Sequence, residues 1–233
     1  MKKGMIILLG VLVVSMTGTW AADTDAMVYI VHGVDGTVLG LSQELPVDIS
    51  VNGTCVIQDF KFTEFVGPIA LSPGTYDIAI SLANLTNPCS EAPVIEAEVP
   101  IRAGETCTII AHLTEDGSTT ASKFTHDVSP IKDKSRIVLH HCAAAPAVDI
   151  EGVRLTGPRD PNVFVSEFSN GDKFMIELKQ KSWFFKLYYP PFSDNLVEQK
   201  LFNLKIWEGM YIFAVGTPQQ GLNWVWIRIG GLK

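Results

Sequence analysis

Two series of short β-type segments run along this chain in the same order, and that repetition constrains the fold more than any single motif does. In the first, VYIVHG at Val28 is followed by LPVDIS at Leu45, SPGTYDIAI at Ser72 and RAGETCTIIAHL at Arg102. In the second, RIVLHHC at Arg136 is followed by APAVDIE at Ala145, KSWFFKLYY at Lys181 and IWEGMYIFAVG at Ile206. The segments are rich in Val, Ile, Tyr, Phe and Trp and are fenced by Gly, Pro, Asn and Asp, which reads as strands separated by turns. Helical periodicity is almost absent. The expected fold is therefore all-β, two tandem β-sandwiches. In this register His32 matches His141, Asp48 matches Asp149 and Gly33 matches Cys142. The joint falls in SKFTHDVSPIKDKS, residues 122–135, so the expected divisions are a leader over 1–22, a first sandwich over 23–129 and a second over 130–233.

The leader reading rests on MKKGMIILLGVLVVSMTGTWAAD: two lysines, an apolar run from Met5 to Val14 and a small-residue ending, the three-part pattern of a bacterial-type secretory signal. Cleavage is expected near Ala22 or Asp23. No later apolar run reaches the roughly 20 residues of a membrane-spanning helix, so an exported protein, periplasmic or extracellular, without a membrane span is expected.

Charge divides the chain unequally. Residues 23–133 carry 16 acids against 4 bases, a net of −12, whereas residues 134–233 carry 9 acids against 12 bases, a net of +3. Neither half clusters Lys and Arg as a nucleic-acid footprint requires, and the opposite signs favour packing of one half on the other.

Export permits disulfides, and the cysteines number four. Cys55 follows a VNG turn and Cys89 lies in NPCS, both within the acidic half, so Cys55 with Cys89 is the expected pair. Cys107 with Cys142 is the second pairing then open, and four reduced, buried thiols are the alternative.

VYIVHG with PVDISVNG, and IVLHHCAAAPAVDI, resemble the secreted bacterial domain of unknown function 4397, whose copies open with a valine-rich strand, a histidine, an Ala/Pro segment and a Val-Asp-Val strand. The later AxPGTY and AGxxxTVxAHL elements of that family look alike too, here as LSPGTYDIAI and RAGETCTIIAHL. The resemblance implies two immunoglobulin-like copies, the second divergent beyond Ile150, where no VNG turn or PGTY occurs. It implies no activity, because the family has no assigned catalytic residue to carry over.

HHCAAAPAVDI, residues 140–150, invites a metal-site reading. On a strand successive side chains point to opposite faces, so His140 and Cys142 share one face and His141 takes the other. Two ligands do not make a tetrahedral zinc site, and His32, His112 or His126 join only if folding brings them near. His32, His141, Asp48 and Asp149 are read as structural positions used once in each sandwich. No nucleophile stands beside a base in a known arrangement, and G-x-S-x-G is absent. No catalytic residue, metal or cofactor is expected.

Aromatic residues are concentrated late: outside the leader, 6 of Phe, Trp and Tyr precede residue 134 and 15 follow it. In LNWVWIRIG, alternation places Val225, Ile227 and Ile229 on one face and Leu222, Trp224, Trp226 and Arg228 on the other. The aliphatic face is read as core, which makes Trp224, Trp226 and Arg228 a candidate outer surface for the other sandwich, a protein partner or a glycan. Lys186, between Phe184 and Tyr188, extends that patch if its strand is a neighbour. The function expected is that of an exported, non-catalytic binding, adhesion or structural module. The alternative is an envelope hydrolase or metal-binding protein using His32, His140 and His141, and a third reading is an assembly subunit whose edge strands pair between chains.

Overall fold

The computed structural model describes residues 24–154, 163–179, 182–189 and 196–233; the expected leader lies outside them. Among the described residues there are sixteen strands and one 3-10 helix, Gly36–Leu39. The strands are β1 Ala26–His32, β2 Val47–Val51, β3 Thr54–Phe60, β4 Phe65–Leu71, β5 Gly74–Leu82, β6 Pro93–Ile101, β7 Thr106–Leu113 and β8 Thr119–Thr125 in the first half. They continue as β9 Ser135–His141, β10 Val148–Arg154, β11 Val163–Phe168, β12 Lys173–Leu178, β13 Ser182–Tyr188, β14 Leu196–Asn203, β15 Glu208–Thr217 and β16 Gly221–Ile229. No helix among the described residues is long and apolar enough to cross a membrane.

Four sheets form, in two pairs. Sheet I has the order β3-β2-β5-β6, sheet II β4-β1-β7-β8, sheet III β12-β9-β15-β16 and sheet IV β11-β10-β13-β14. Strand for strand, sheet III repeats sheet II and sheet IV repeats sheet I. Even the exception recurs: the pairs β1–β7 and β9–β15 are parallel, and every other pair is antiparallel.

Apolar side chains join the sheets into a stack of four layers. Val28, Ile49, Ile80, Val99 and Ile109 fill the first sandwich between sheets I and II, and Leu139, Ile150, Phe185, Phe202 and Ile212 fill the second between III and IV. A third cluster lies between II and III: Tyr29, Val31, Phe62 and Ile110 from the first half meet Val138, Tyr211, Phe213, Val215, Val225 and Ile227 from the second. The middle strands are thus covered on both faces. β9 is buried at all seven positions, and Met210, Ile212 and Ala214 of β15 face their own core while Tyr211, Phe213 and Val215 face the seam. Such strands read as continuous apolar runs. Each large apolar side chain removed from water there contributes about 1.5 to 3 kcal/mol, so the seam is a substantial part of the folding free energy.

The joint is fastened as well. Arg136, 4% exposed, donates to the Asp127 carbonyl at 2.6 Å and the Ser129 carbonyl at 3.2 Å, and forms ion pairs with Asp127 and Glu177 at 3.1 and 3.0 Å. The Tyr211 hydroxyl donates to the same Asp127 carbonyl at 2.6 Å, and the Ile131 N–H donates to the Leu232 carbonyl at 2.9 Å, which ties the connecting segment to the C-terminal residues. The layer between sheets II and III is otherwise packed from apolar side chains of both halves.

Candidate functional site

The histidines are distributed among different layers. His32 ends β1 and faces the first core, where its Nε2–H donates to the Leu45 carbonyl at 2.8 Å and its Nδ1 accepts from the Val34 N–H at 3.2 Å. A cavity of about 20 Å3 lies beside it, room for no more than a water. His141 ends β9 and faces the second core, 5.9 Å from the Phe168 ring between centroids. Its Nδ1 accepts from the Ala143 N–H at 3.4 Å, and the Pro146 carbonyl lies on its other side without making a hydrogen bond of standard geometry to Nε2. Leu45 and Pro146 each stand three residues before an aspartate of the Val-Asp-Ile strand, so the two histidines address the same place in each sandwich. The neighbouring backbone repeats too, with Gly33 N–H donating to the Ala111 carbonyl and Cys142 N–H to the Ala214 carbonyl.

His140 points the other way, into the seam. It stacks on Phe213 at 5.1 Å and meets Phe124 of the first half at 4.1 Å, and neither ring nitrogen has a hydrogen-bond partner. His126 packs on Tyr211 at 3.8 Å and bonds Thr108 Oγ1 through Nε2 at 2.7 Å. His112 donates from Nδ1 to the Leu113 carbonyl, leaving Nε2 to accept from the Ser122 hydroxyl. Burial pushes His32 down to about 4, and burial with the charge of Lys173 pushes His126 and His140 down to about 3, His126 also feeling His140. His112 and His141 are lowered by burial as well. These rings are neutral packing units at neutral pH. Among the described residues no three of His, Cys, Asp and Glu gather where they could hold a metal ion.

The aspartates each serve a β-bulge. Between the pairs Val47↔Phe60 and Ile49↔Ile57 the register slips, and Asp59 there has φ +53°; Asp48 Oδ1 accepts its N–H at 3.1 Å. Between Val148↔Phe168 and Ile150↔Val165 it slips identically, Glu167 has φ +55°, and Asp149 Oδ1 accepts its N–H at 3.0 Å. A positive φ is costly for such residues, and the buried carboxylate offsets part of that cost through a charge-assisted bond. Asp48 does more: its other oxygen accepts from Asn84 N–H at 3.0 Å and Cys89 N–H at 2.9 Å, which positions the β5–β6 loop. Cys89 is there joined to Cys55, with Cα atoms 5.8 Å apart.

The second pairing does not form. Cys107 and Cys142 are free and buried. Cys107 faces the core of the first sandwich and Cys142 lies in the seam, so sheet II separates them. Burial pushes the Cys107 thiol up to about 11 and raises Cys142 further, so neither is a thiolate nucleophile at neutral pH.

The surface assignment for LNWVWIRIG is reversed by the structure. Alternation is as expected, but Leu222, Trp224 and Trp226 face the core of their own sandwich, and Val225, Ile227 and Ile229 face the other sandwich. Both faces of β16 carry apolar side chains that are covered, so alternation alone does not say which set is core and which is seam. Trp224 is 8% exposed, whereas Trp226 remains partly open beside Lys200 of β14, whose Nζ lies 5.1 Å from the ring centroid. Arg228 pairs with Glu208 and donates to the Asn203 carbonyl at 3.1 Å. Lys186 does not extend this patch. It sits on β13 in sheet IV, opposed to Glu151 at 3.5 Å, away from β16.

Sequence reasoning missed an open concavity beside these residues. A groove of about 630 Å3 runs where edge strands β4 and β16 of the stacked sheets approach, with Phe65 and Tyr29 on one wall and Trp226, Lys200 and Arg228 on the other. Phe65 is 50% exposed. The facing residues Lys200, Trp226 and Arg228 are at least 135 positions from it in sequence, so no local pattern announces the site.

A family model described as a domain of unknown function (DUF4397) matches residues 26–151. The chain belongs to that family. The match covers all of the first sandwich and runs on through β9 into β10, so it includes His141 and Asp149 as well as His32 and Asp48. No curated protein matches the chain. Among solved structures, one described as the Bacillus anthracis TIE protein is similar at 13% identity over 78% of this chain and 32% of its own, with a TM-score of 0.25. This chain therefore spans about a third of that protein, and at that TM-score the likeness carries no argument.

Proposed function

We propose that this member of the family is an exported, non-catalytic module of the cell envelope or extracellular space, in which two β-sandwiches are fused into one stiff body that presents a binding surface. The apolar seam between sheets II and III carries this reading, because side chains from both halves share one continuous packed layer. The second half is read as a divergent copy of the family domain, supported by the repeated strand order, the repeated bulge under Asp48 and Asp149 and the matching His32 and His141 positions. The Cys55–Cys89 disulfide supports export, since such bonds persist in oxidising compartments.

The rival reading, a hydrolase or metal protein using His32, His140 and His141, loses support from geometry: the three rings face three different apolar layers. Expression of the full chain in a bacterium, followed by fractionation and mass measurement, tests the proposal. An envelope or medium fraction with its N-terminus near Ala22 or Asp23 and an oxidised Cys55–Cys89 pair is expected. A cytoplasmic, full-length, reduced protein would overturn it.

A further inference from the structure

The seam is not sealed along its β4–β16 side. Tyr29, Val225 and Ile227 belong both to the seam and to the groove described above, so the groove is the seam's open margin. We propose that this groove binds an acidic saccharide chain, with Trp226 and Phe65 as ring platforms and Lys200 as the partner of its carboxylates. This deepens the reading of the chain as a binding module.

Three observations converge on that ligand. An aromatic ring as open as Phe65, beside a partly open Trp226, is surface that soluble proteins leave uncovered at interaction sites. The volume of about 630 Å3 is within the usual range of ligand sites. Third, the charge is local: of the two cations among the described residues lining the groove, Arg228 is already paired with Glu208, which leaves Lys200 to meet an anion, in a chain of net charge −7. Lys200 is held only loosely, above the Trp226 ring, and an anionic group would draw on both its charge and its hydrogen-bond donors.

A peptide is the less suited occupant. Extended peptides add to edge strands through main-chain hydrogen bonds, and of the two edge strands that line the groove, β4 carries Pro68 in its middle, which has no N–H to give. What the groove offers instead is side-chain chemistry, the Thr63 hydroxyl and the Asn223 amide beside rings and cations. Sugar hydroxyls, ring faces and carboxylates use all three.

The purified protein is titrated with tetrasaccharides of galacturonate, mannuronate and hyaluronan, followed by tryptophan fluorescence and calorimetry, with cellotetraose and an eight-residue peptide of alternating Glu and Phe as comparators. At least one acidic tetrasaccharide is expected to bind one to one and more weakly at high salt. Lys200→Glu and Phe65→Ser, both at exposed positions, are expected to weaken it at least tenfold without moving the melting temperature, and Trp226→Ala to abolish the fluorescence change. Binding by none of the three, binding that survives Lys200→Glu and Phe65→Ser, or tighter binding of the peptide overturns the assignment. Export of the chain is read by fractionation, so failure here leaves that reading standing or falling on its own test.

Discussion

Gly33 and Val215 meet across the boundary between the two sandwiches, so closely that a β-carbon added at Gly33 would lie 2.8 Å from Val215 Cγ1 and 3.0 Å from the Ala111 carbonyl oxygen. The backbone oxygen cannot yield as a side chain can, and both neighbours belong to buried middle strands. Gly33→Ala is therefore expected to force sheets II and III apart locally and to lower stability by about 1 to 3 kcal/mol, the usual range for overpacking. Val215→Ala in the same chain should recover part of the loss, measured by denaturant unfolding.

The Cys55–Cys89 bridge spans 34 positions. Replacing both cysteines by serine is expected to cost about 2 to 4 kcal/mol, and reduction of the unaltered protein should cost a similar amount. Cys107→Ala and Cys142→Ala should leave non-reducing gel mobility unchanged.

Asp48 receives three backbone N–H groups, from Asp59, Asn84 and Cys89. Asp48→Ala leaves them without that acceptor in a buried position, each worth about 1 to 3 kcal/mol, and should be among the most destabilising single changes in the first sandwich. Hydrogen exchange at Asp59, Asn84 and Cys89 should rise selectively.

Acid should loosen the molecule. His126 and His140 have folded values pushed down to about 3, below the ordinary 6.5, so the unfolded chain binds protons that the folded chain does not. The stability this represents is fully present above about pH 6.5 and is lost as pH falls towards 3. Facing these rings are Lys173, which repels a proton on either, and Tyr211, Phe213 and Phe124, which cannot accept one. His140→Phe keeps the stacking and should flatten the decline of melting temperature between pH 6.5 and 4, the remaining slope coming from His126 and His32.

The all-β architecture was legible because turn residues punctuate short strands throughout, and the Cys55–Cys89 pair because both cysteines sit in turn-flanked segments of one half. The faces of LNWVWIRIG were not. Alternation separates two sets of side chains, but when a strand is covered on both sides it does not say which set meets its own sandwich and which meets the next. β9, β15 and β16 lie in the middle of a four-layer stack, a property of the assembled chain and not of any one segment. His140 illustrates the same point, since its strand parity is plain in the sequence but the Phe124 ring that receives it comes from the other half. The groove was hidden for a similar reason, being made by Phe65 and Trp226 from edge strands of different sheets.

Trp224→Ala should destabilise the second sandwich by about 3 to 5 kcal/mol, as for a buried tryptophan, because the ring packs edge-on against Phe202 at 6.1 Å within that core. Trp226→Ala, with its ring partly open, should cost less. Equal losses from the two changes would argue against the burial difference described above.

The central claim is that the apolar layer between sheets II and III makes two sandwiches behave as one body, and scanning calorimetry of the purified protein tests it most directly. One endotherm is expected, with calorimetric and van't Hoff enthalpies equal, and Phe213→Asp, which places a charge in that layer, should split it into two. Two separate transitions in the unaltered protein, one for each sandwich, would contradict the account.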